Sequence, residues 1–252
     1  MDEWISGKHS VLEAIRAGRS INKILIAEGA LKSLTAPIIA EAKQAGLIVQ
    51  FVDKRKLEQL AEGASHQGVA AQVAPYGYVE VEDLLQLAAD KGEPPFLLLL
   101  DEIEDPHNLG SILRTADCTG VHGVIIPKRR AAALTATVSK TSAGAVEYVH
   151  VARVSNMAQT IDMLKKRGVW VTGTDASAVQ DAYAADLTGP IAIVIGNENQ
   201  GMGRLIKEKC DFLIKLPMLG HIQSLNASVA AGVTMYEVVR QRRSASSAAG
   251  RA

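Results

Sequence analysis

Apolar and polar positions alternate along this chain in two rhythms, one of helical period and one of short continuous runs. Between Gly7 and about Pro75 the two take turns. VLEAIRAG (Val11–Gly18) has helical spacing and a glycine stop, and KILIA (Lys23–Ala27) reads as a strand. LTAPIIAEAKQAG (Leu34–Gly46) is a second helix and LIVQFV (Leu47–Val52) a second strand. DKRKLEQLAEG (Asp53–Gly63) starts on an aspartate cap and stops at glycine, and GVAAQVA (Gly68–Ala74) is a closing strand. Residues 1–75 are therefore expected to form a small α/β domain of their own.

The stretch PYGYVEVED (Pro75–Asp83) reads as a linker, so that residues 76–94 hold a linker and a first helix. Wholly apolar runs then follow: FLLLLD (Phe96–Asp101), VHGVIIP (Val121–Pro127), GVWVTGT (Gly168–Thr174), IAIVIGNE (Ile191–Glu198) and FLIKLP (Phe212–Pro217). Strands buried on both faces look like this, and helical segments separate them, which predicts a mainly parallel sheet between helix layers over residues 95–243. A last helix is expected from about Leu225 to Arg240, with Leu225, Val229, Val233 and Tyr236 on one face. The small, polar residues 244–252 predict a disordered tail.

Composition narrows the setting. Of the 252 residues 48% are hydrophobic and 21% charged, ordinary for a soluble globular chain. No apolar run approaches the ~20 residues that span a bilayer. The opening MDEWISGKHS lacks the apolar core of a signal peptide, and two cysteines without a spaced pattern fit a reducing cytoplasm. Lysine plus arginine and aspartate plus glutamate balance at 27 each, so any nucleic-acid binding must come from local patches.

The parallel sheet suggests a ligand at the carboxyl ends of its strands, yet the common fingerprints are missing. No GxGxxG follows a strand. IVIGNENQGMG (Ile193–Gly203) opens like a phosphate loop but has Met202 and Gly203 where lysine and hydroxyl belong, and an acid, Glu198, inside. His107, His122 and Cys118 match no zinc spacing. Two further strand-end stretches ask for an explanation. In DPHNLGSILRTAD (Asp105–Asp117), Asn108 fits a helix N-cap, but Arg114 interrupts the apolar and small series Ile112, Leu113, Ala116 and needs an anion or a wet cleft. In KLPMLGHIQSLNAS (Lys215–Ser228), Ser224 fits the N-cap of the last helix, while Asn226 at its second position is free to point elsewhere.

Together these three stretches resemble the signature motifs of the SpoU (TrmH) branch of the SPOUT RNA methyltransferases. PHNLGSILRTAD resembles the first, with its asparagine and arginine at Asn108 and Arg114; IVIGNENQGM the second, at Gly196 and Glu198; LPMLGHIQSLNASVAAG the third, at Ser224 and Asn226. GKHSVLEAI and HQGVAAQV (His66–Val73) resemble the substrate-binding domain of the two-domain, RlmB-type members.

The resemblance implies an α/β fold made of a small RNA-binding domain followed by a trefoil-knotted catalytic domain, an exception to unknotted topology. It implies S-adenosyl-L-methionine as methyl donor, held by backbone groups around Gly196, Leu216 and Leu225 and walled by Thr172, Gly173 and Thr174. Catalytic roles fall on Arg114, Asn108, Glu198, Ser224 and Asn226, with Glu198 accepting from Asn108 or Arg114. The partner implied is RNA, specifically a guanosine of 23S rRNA, with tRNA or a non-catalytic RNA-binding role as the alternatives. A homodimer is implied too, and the small residues Ala227, Ala230, Ala231 and Gly232 suit close packing at its interface. Lys8, His9, Arg16, Lys54, Arg55 and Lys56 are the candidate RNA contacts of the first domain.

Overall fold

The computed structural model describes residues 3–60 and 66–249. The expected helix stop at Gly63 and the last three residues of the expected tail lie outside them. The chain divides into two compact units.

The first unit begins with β1 (Glu3–Ser6), α1 (Lys8–Arg16), β2 (Ile21–Ala27), α2 (Lys32–Gln44), β3 (Val49–Val52), α3 (Lys54–Leu60) and β4 (Val69–Val73). Its four strands lie in the order β1-β4-β2-β3, with β4 antiparallel to both neighbours and β3 parallel to β2. Alternation along β2 sends Ile24 and Ile26 to one face, where Val11, Ile15 and Ile38 of α1 and α2 cover them. Leu25 and Ala27 face the other way, toward Leu57 of α3. The sequence pattern missed β1, four residues of mixed polarity that acquire a partner only through β4.

The second unit opens with α4 (Val81–Asp90), which starts inside the expected linker because Glu80 N donates to Asp83 Oδ2 at 2.9 Å and closes its first turn. Then come β5 (Phe96–Leu100), α5 (Pro106–Thr119) and β6 (Gly123–Pro127).

At Ala133 the chain leaves this unit and joins the first. Helix α6 (Ala136–Thr141) and a 3-10 turn (Ala145–Glu147) pack on β1 and α1. Sequence pattern assigned these residues to the catalytic half; three contacts hold them elsewhere. Gly144, at φ 91°, lies so close to α1 that a Cβ would stand 2.5 Å from that of Glu13. Glu147 accepts from Arg19 and from the Tyr76 hydroxyl, each at 3.0 Å, and Arg19 stacks 3.5 Å from the Tyr76 ring centre. The Arg19 and Glu147 side chains are only 8% and 4% exposed, a paired charge in the interior.

The chain returns as β7 (Val151–Val154), α7 (Met157–Lys166), β8 (Trp170–Thr174), β9 (Gln180–Asp181), β10 (Ile191–Ile195), α8 (Arg204–Lys209), β11 (Phe212–Lys215) and α9 (Ala227–Ala249). The seven strands, β5 to β11, are all parallel in the order β7-β6-β5-β10-β8-β11-β9. The central pair β5 and β10 is buried along its whole length, as the apolar runs predicted. Strand β10 slots between β5 and β8 although β6 to β9 intervene in sequence, and this interleaving brings the loops after β10 and β11 together.

Helix α9 corrects two expectations. It continues to Ala249 rather than stopping near Arg240, through residues expected to be a disordered tail. Alanine favours helix, and the hydroxyls of Ser244, Ser246 and Ser247 donate to the carbonyls four residues back. Its small residues do not form an outward face. Ala227 and Ala231 are buried, and Gly232 lies against Thr115 of α5, so closeness is used within the chain. The outward stripe is Val229, Val233 and Tyr236.

Candidate active site

Three loops meet at the carboxyl ends of β8, β10 and β11. The loop after β10 folds back on itself: Asn197 N donates to Gly201 O at 3.1 Å and Gly201 N to Asn197 O at 2.7 Å. A Cβ on Gly196 would lie 2.4 Å from Gly201 C and Met202 N, so the glycine is required by this return. The loop is anchored below by Asp101, whose Oδ2 accepts from Gly203 N at 2.8 Å. Burial pushes the Asp101 carboxyl up, against the pull of that amide.

Beside this loop stand α5 and the start of α9. The cap of α5 is Asp105, which accepts from His107 N at 2.8 Å, with Pro106 in the first turn. Asn108 is therefore not the cap. It lies one turn in, 7% exposed, with its carboxamide free for other work. Nor does Ser224 cap α9. Asn226 Oδ1 does so, accepting from Ser228 N at 2.9 Å and Val229 N at 3.4 Å. Its position is thus just before the helix rather than second within it.

These corrections release a ring of contacts. Asn108 Nδ2 donates to Glu198 Oε2 at 3.0 Å, and Asn226 Nδ2 donates to Asn108 Oδ1 at 2.9 Å. Asn226 Nδ2 and Ala227 N both lie 3.4 Å from the same Glu198 oxygen. One carboxylate at the amino end of a long helix thus draws residues 108 and 226 together, and the helix dipole favours its charge.

Glu198 also lines a cavity of about 320 Å³, in the range of small-molecule sites. Of the residues expected around a donor, Thr174, Gly196, Leu216 and Leu225 line it as well, and so does Ser224, expected in a catalytic role. Thr172 and Gly173 do not. Thr172 is fully buried with its hydroxyl on Phe212 O at 3.2 Å, and Gly173 makes room for Met202, whose Cε a Cβ would meet at 2.6 Å. Sequence reasoning missed Asp175, Met218 and Gln223 on the wall. For Asp175 a signal existed, an acid one residue past the strand-end threonine. Burial works against its charge, but hydrogen bonds from Lys207 and Ser177 prevail and hold its carboxyl below the usual value.

Arg114 is not brought to the ring. It sits on the exposed side of α5 and has no ion-pair or hydrogen-bond partner among the described residues. The candidate RNA contacts belong to the first unit and also divide. Lys8, His9, Lys54, Arg55 and Lys56 start α1 and α3. Arg16 ends α1 and is tied to Glu13 at 2.9 Å and Glu41 at 2.7 Å.

The cavity suits a molecule that is part apolar and part cationic: Ile195, Leu216, Met218 and Leu225 offer flat apolar wall, and Asp175 and Glu198 offer carboxylates. Comparison with known proteins agrees. Residues 95–236 match the SpoU rRNA Methylase family, and residues 4–79 match its companion description, RNA 2'-O ribose methyltransferase substrate binding. The chain belongs to the SpoU methylase family. A Bacillus subtilis (strain 168) protein named for the TrmH family of tRNA/rRNA methyltransferases, YacO, is 55% identical over 240 residues, 95% of this SpoU methylase and 96% of the relative. The SpoU methyltransferase AviRb of Streptomyces viridochromogenes, solved with AdoMet, is 25% identical, with a TM-score of 0.80 over 96% of this chain and 91% of that one. The TrmH/SpoU tRNA modifying enzyme of A. aeolicus is 30% identical, with a TM-score of 0.56, and matches 66% of this chain and 85% of its own. The second unit is the family's α/β-knot domain, and S-adenosylmethionine is its methyl donor. No helix among the described residues is long and apolar enough to cross a membrane.

Proposed function

We propose that this SpoU methylase methylates the 2'-hydroxyl of a guanosine in 23S rRNA, acting in the cytoplasm as a homodimer. The observation that carries the enzymatic reading is the Asn108–Glu198–Asn226 ring on the edge of the cavity, since an RNA-binding relative without chemistry has no use for it. The family description supports rRNA: residues 95–236 match the SpoU rRNA Methylase family, whereas the tRNA modifying enzyme matches only two thirds of the chain. Relatives named for tRNA and rRNA together keep tRNA as the second reading.

The donor supplies an activated methyl group, so the protein's work is positioning, and the hydroxyl proton passes to solvent. Glu198 fixes both asparagines, and the carboxamides of Asn108 and Asn226 in turn hold its charge toward the cavity. Arg114 serves as a clamp on the target's phosphate, because a guanidinium stays protonated beyond about pH 12 and makes a poor base. The apolar stripe Val229, Val233, Tyr236 on α9, which packs on α5, is the face on which a second copy would sit.

Mapping 2'-O-methyl marks in rRNA and tRNA from a deletion strain tests the substrate. Loss of one guanosine mark in 23S rRNA is expected; loss of a tRNA mark alone overturns the choice. Arg114→Ala should lower methyl transfer by about 100-fold or more while calorimetry finds donor binding unchanged. Wild-type turnover in that variant would remove Arg114 from the mechanism.

A further inference from the structure

The strand directions of the first unit gather one set of loops at one end of its sheet. Strands β1, β2 and β3 all finish there, and β4, antiparallel to β1 and β2, begins there. The first turns of α1, α2 and α3 therefore emerge together. They carry Lys8, Lys32, and Lys54-Arg55-Lys56, and none contains an acid. A helix by itself prefers the reverse, acids at its amino end, so this arrangement is unfavourable until an external anion arrives. Glu28, Asp53 and Glu58 are the acids within four residues of these cations in the sequence. Glu58 pairs with Lys54 at 3.2 Å and Asp53 accepts from Arg55 N at 2.8 Å, while Lys8, Lys32, Arg55 and Lys56 have no ion-pair partner among the described residues.

At the same end the sheet exposes apolar surface. Phe51 is 61% and Leu31 67% exposed. Phe51 pairs in register with Ile26 and falls on the same face as Val49, two residues back, which packs into the core beneath α1 and α2. Leu31 is the residue before α2, so the helix begins too late to cover Phe51. Strand β3 is the sheet edge, with no strand paired beyond it among the described residues. An uncovered aromatic ring at the same end of the sheet as unpaired cations matches the needs of an unstacked nucleotide, whose base takes the ring and whose phosphates take the charges.

We propose that this end of the first unit grips an unpaired, looped stretch of the substrate RNA, with Phe51 stacking on a base and Lys8, Lys32, Arg55 and Lys56 on the neighbouring phosphates. This rests on the reading of the protein as an RNA methyltransferase and adds which surface meets the RNA and in which form. Duplex RNA keeps its bases stacked and offers the ring nothing. Arg16, at the opposite end and held by two glutamates, takes no part.

The test uses the full-length protein and two RNA probes of equal length, a hairpin with a mixed-sequence ten-nucleotide loop and a fully paired duplex. Wild type should prefer the hairpin. Phe51→Ala should weaken hairpin binding by about 5- to 150-fold with duplex binding unchanged, and Phe51→Trp should restore it. Arg55→Ala and Lys56→Ala should each lower the slope of log affinity against log salt by about one. Donor affinity and melting temperature are measured on every variant and should match wild type, since Phe51 is exposed. Hairpin binding by Phe51→Ala equal to wild type, or an equal loss on the duplex, overturns the stacking surface while leaving the enzyme reading intact. Self-association of wild type that Phe51→Ala abolishes would show that the β3 edge pairs with a second copy, and also overturns it. Failure of wild type to bind either RNA while it binds the donor would instead refute the RNA reading, and this surface with it.

Discussion

Asn108 uses both halves of one carboxamide, giving to Glu198 and receiving from Asn226, so neither neighbour can be changed without turning it. Asn108→Ala removes two hydrogen bonds, each contributing about 1 kcal/mol to stability. It should lower turnover at least about ten-fold through loss of register, because the remaining link between Asn226 and Glu198 is a long 3.4 Å. Asn108→Asp should be worse than alanine at neutral pH and should recover as the pH falls, since it sets a second carboxylate beside Glu198. Initial rates of radiolabelled methyl transfer across pH check this; equal rates for the two variants would show that the ring is ornamental to catalysis. The three strand-end stretches were legible as one constellation from sequence, but who caps which helix was not. Asp105 and Asn108, or Ser224 and Asn226, are interchangeable to a capping preference, and only the partner ninety or more residues away decides which side chain is released.

Helix α9 is a long element that packs on α5 and carries one buried acid. Glu237 accepts from Arg240 at 2.7 and 2.8 Å and from Gln241 at 2.7 Å, and Gln241 also bonds Ala185 O and Leu187 N, which pins the helix to the segment before β10. Hydrogen bonding from Arg240, opposed by burial and aided by Gln241, holds the Glu237 carboxyl below its ordinary value. A depressed carboxylate stabilises the fold above the unfolded value, about 4.3, and that contribution drains away as the pH falls through the folded value. The urea midpoint of wild type should thus fall further between neutral pH and about pH 3 than that of Glu237→Gln, which has no proton to take up there. Parallel acid profiles would show that the fold does not depress the Glu237 carboxyl. The heptad-like stripe of α9 was visible in the sequence, yet not its direction. Small and large residues alternate around the helix, and burial of Ala227, Ala231 and Met235 follows from α5 lying on that side, a tertiary fact.

For the whole molecule, what remains uncovered matters as much as what is packed. Val229, Val233 and Tyr236 form an outward row at helical spacing on a helix whose other side buries Ala227, Ala231, Met235 and Val238. Sedimentation should find wild type as a dimer and Val233→Asp as a monomer with its donor affinity retained. A dimeric Val233→Asp places the interface elsewhere, and a monomeric wild type refutes the dimer. At this scale the sequence was readable wherever the pattern is local: the fully apolar runs announced the parallel sheet, and the alternation before Pro75 announced the smaller one. Strand order was not readable, because β10 and β8 look equally central until β10 is seen between β5 and β8. Residues 133–148 were the deepest omission, short amphipathic turns whose destination is written in Arg19, Tyr76 and Gly144 together.

That excursion bears on how the chain comes to fold as it is made. The first four strands have left the ribosome by Val73, but Glu147, the partner of Arg19, is still some seventy residues from being translated. At roughly 5–20 residues per second that is a delay of about 4–14 s. During it Arg19 has Glu3 at 3.9 Å but lacks the nearer of its two carboxylate partners, and α6 is not yet there to pack on β1 and α1. The nascent protein thus passes through a period in which its first unit is unfinished, and a gene truncated anywhere before codon 147 encodes that unit without the Glu147 carboxylate.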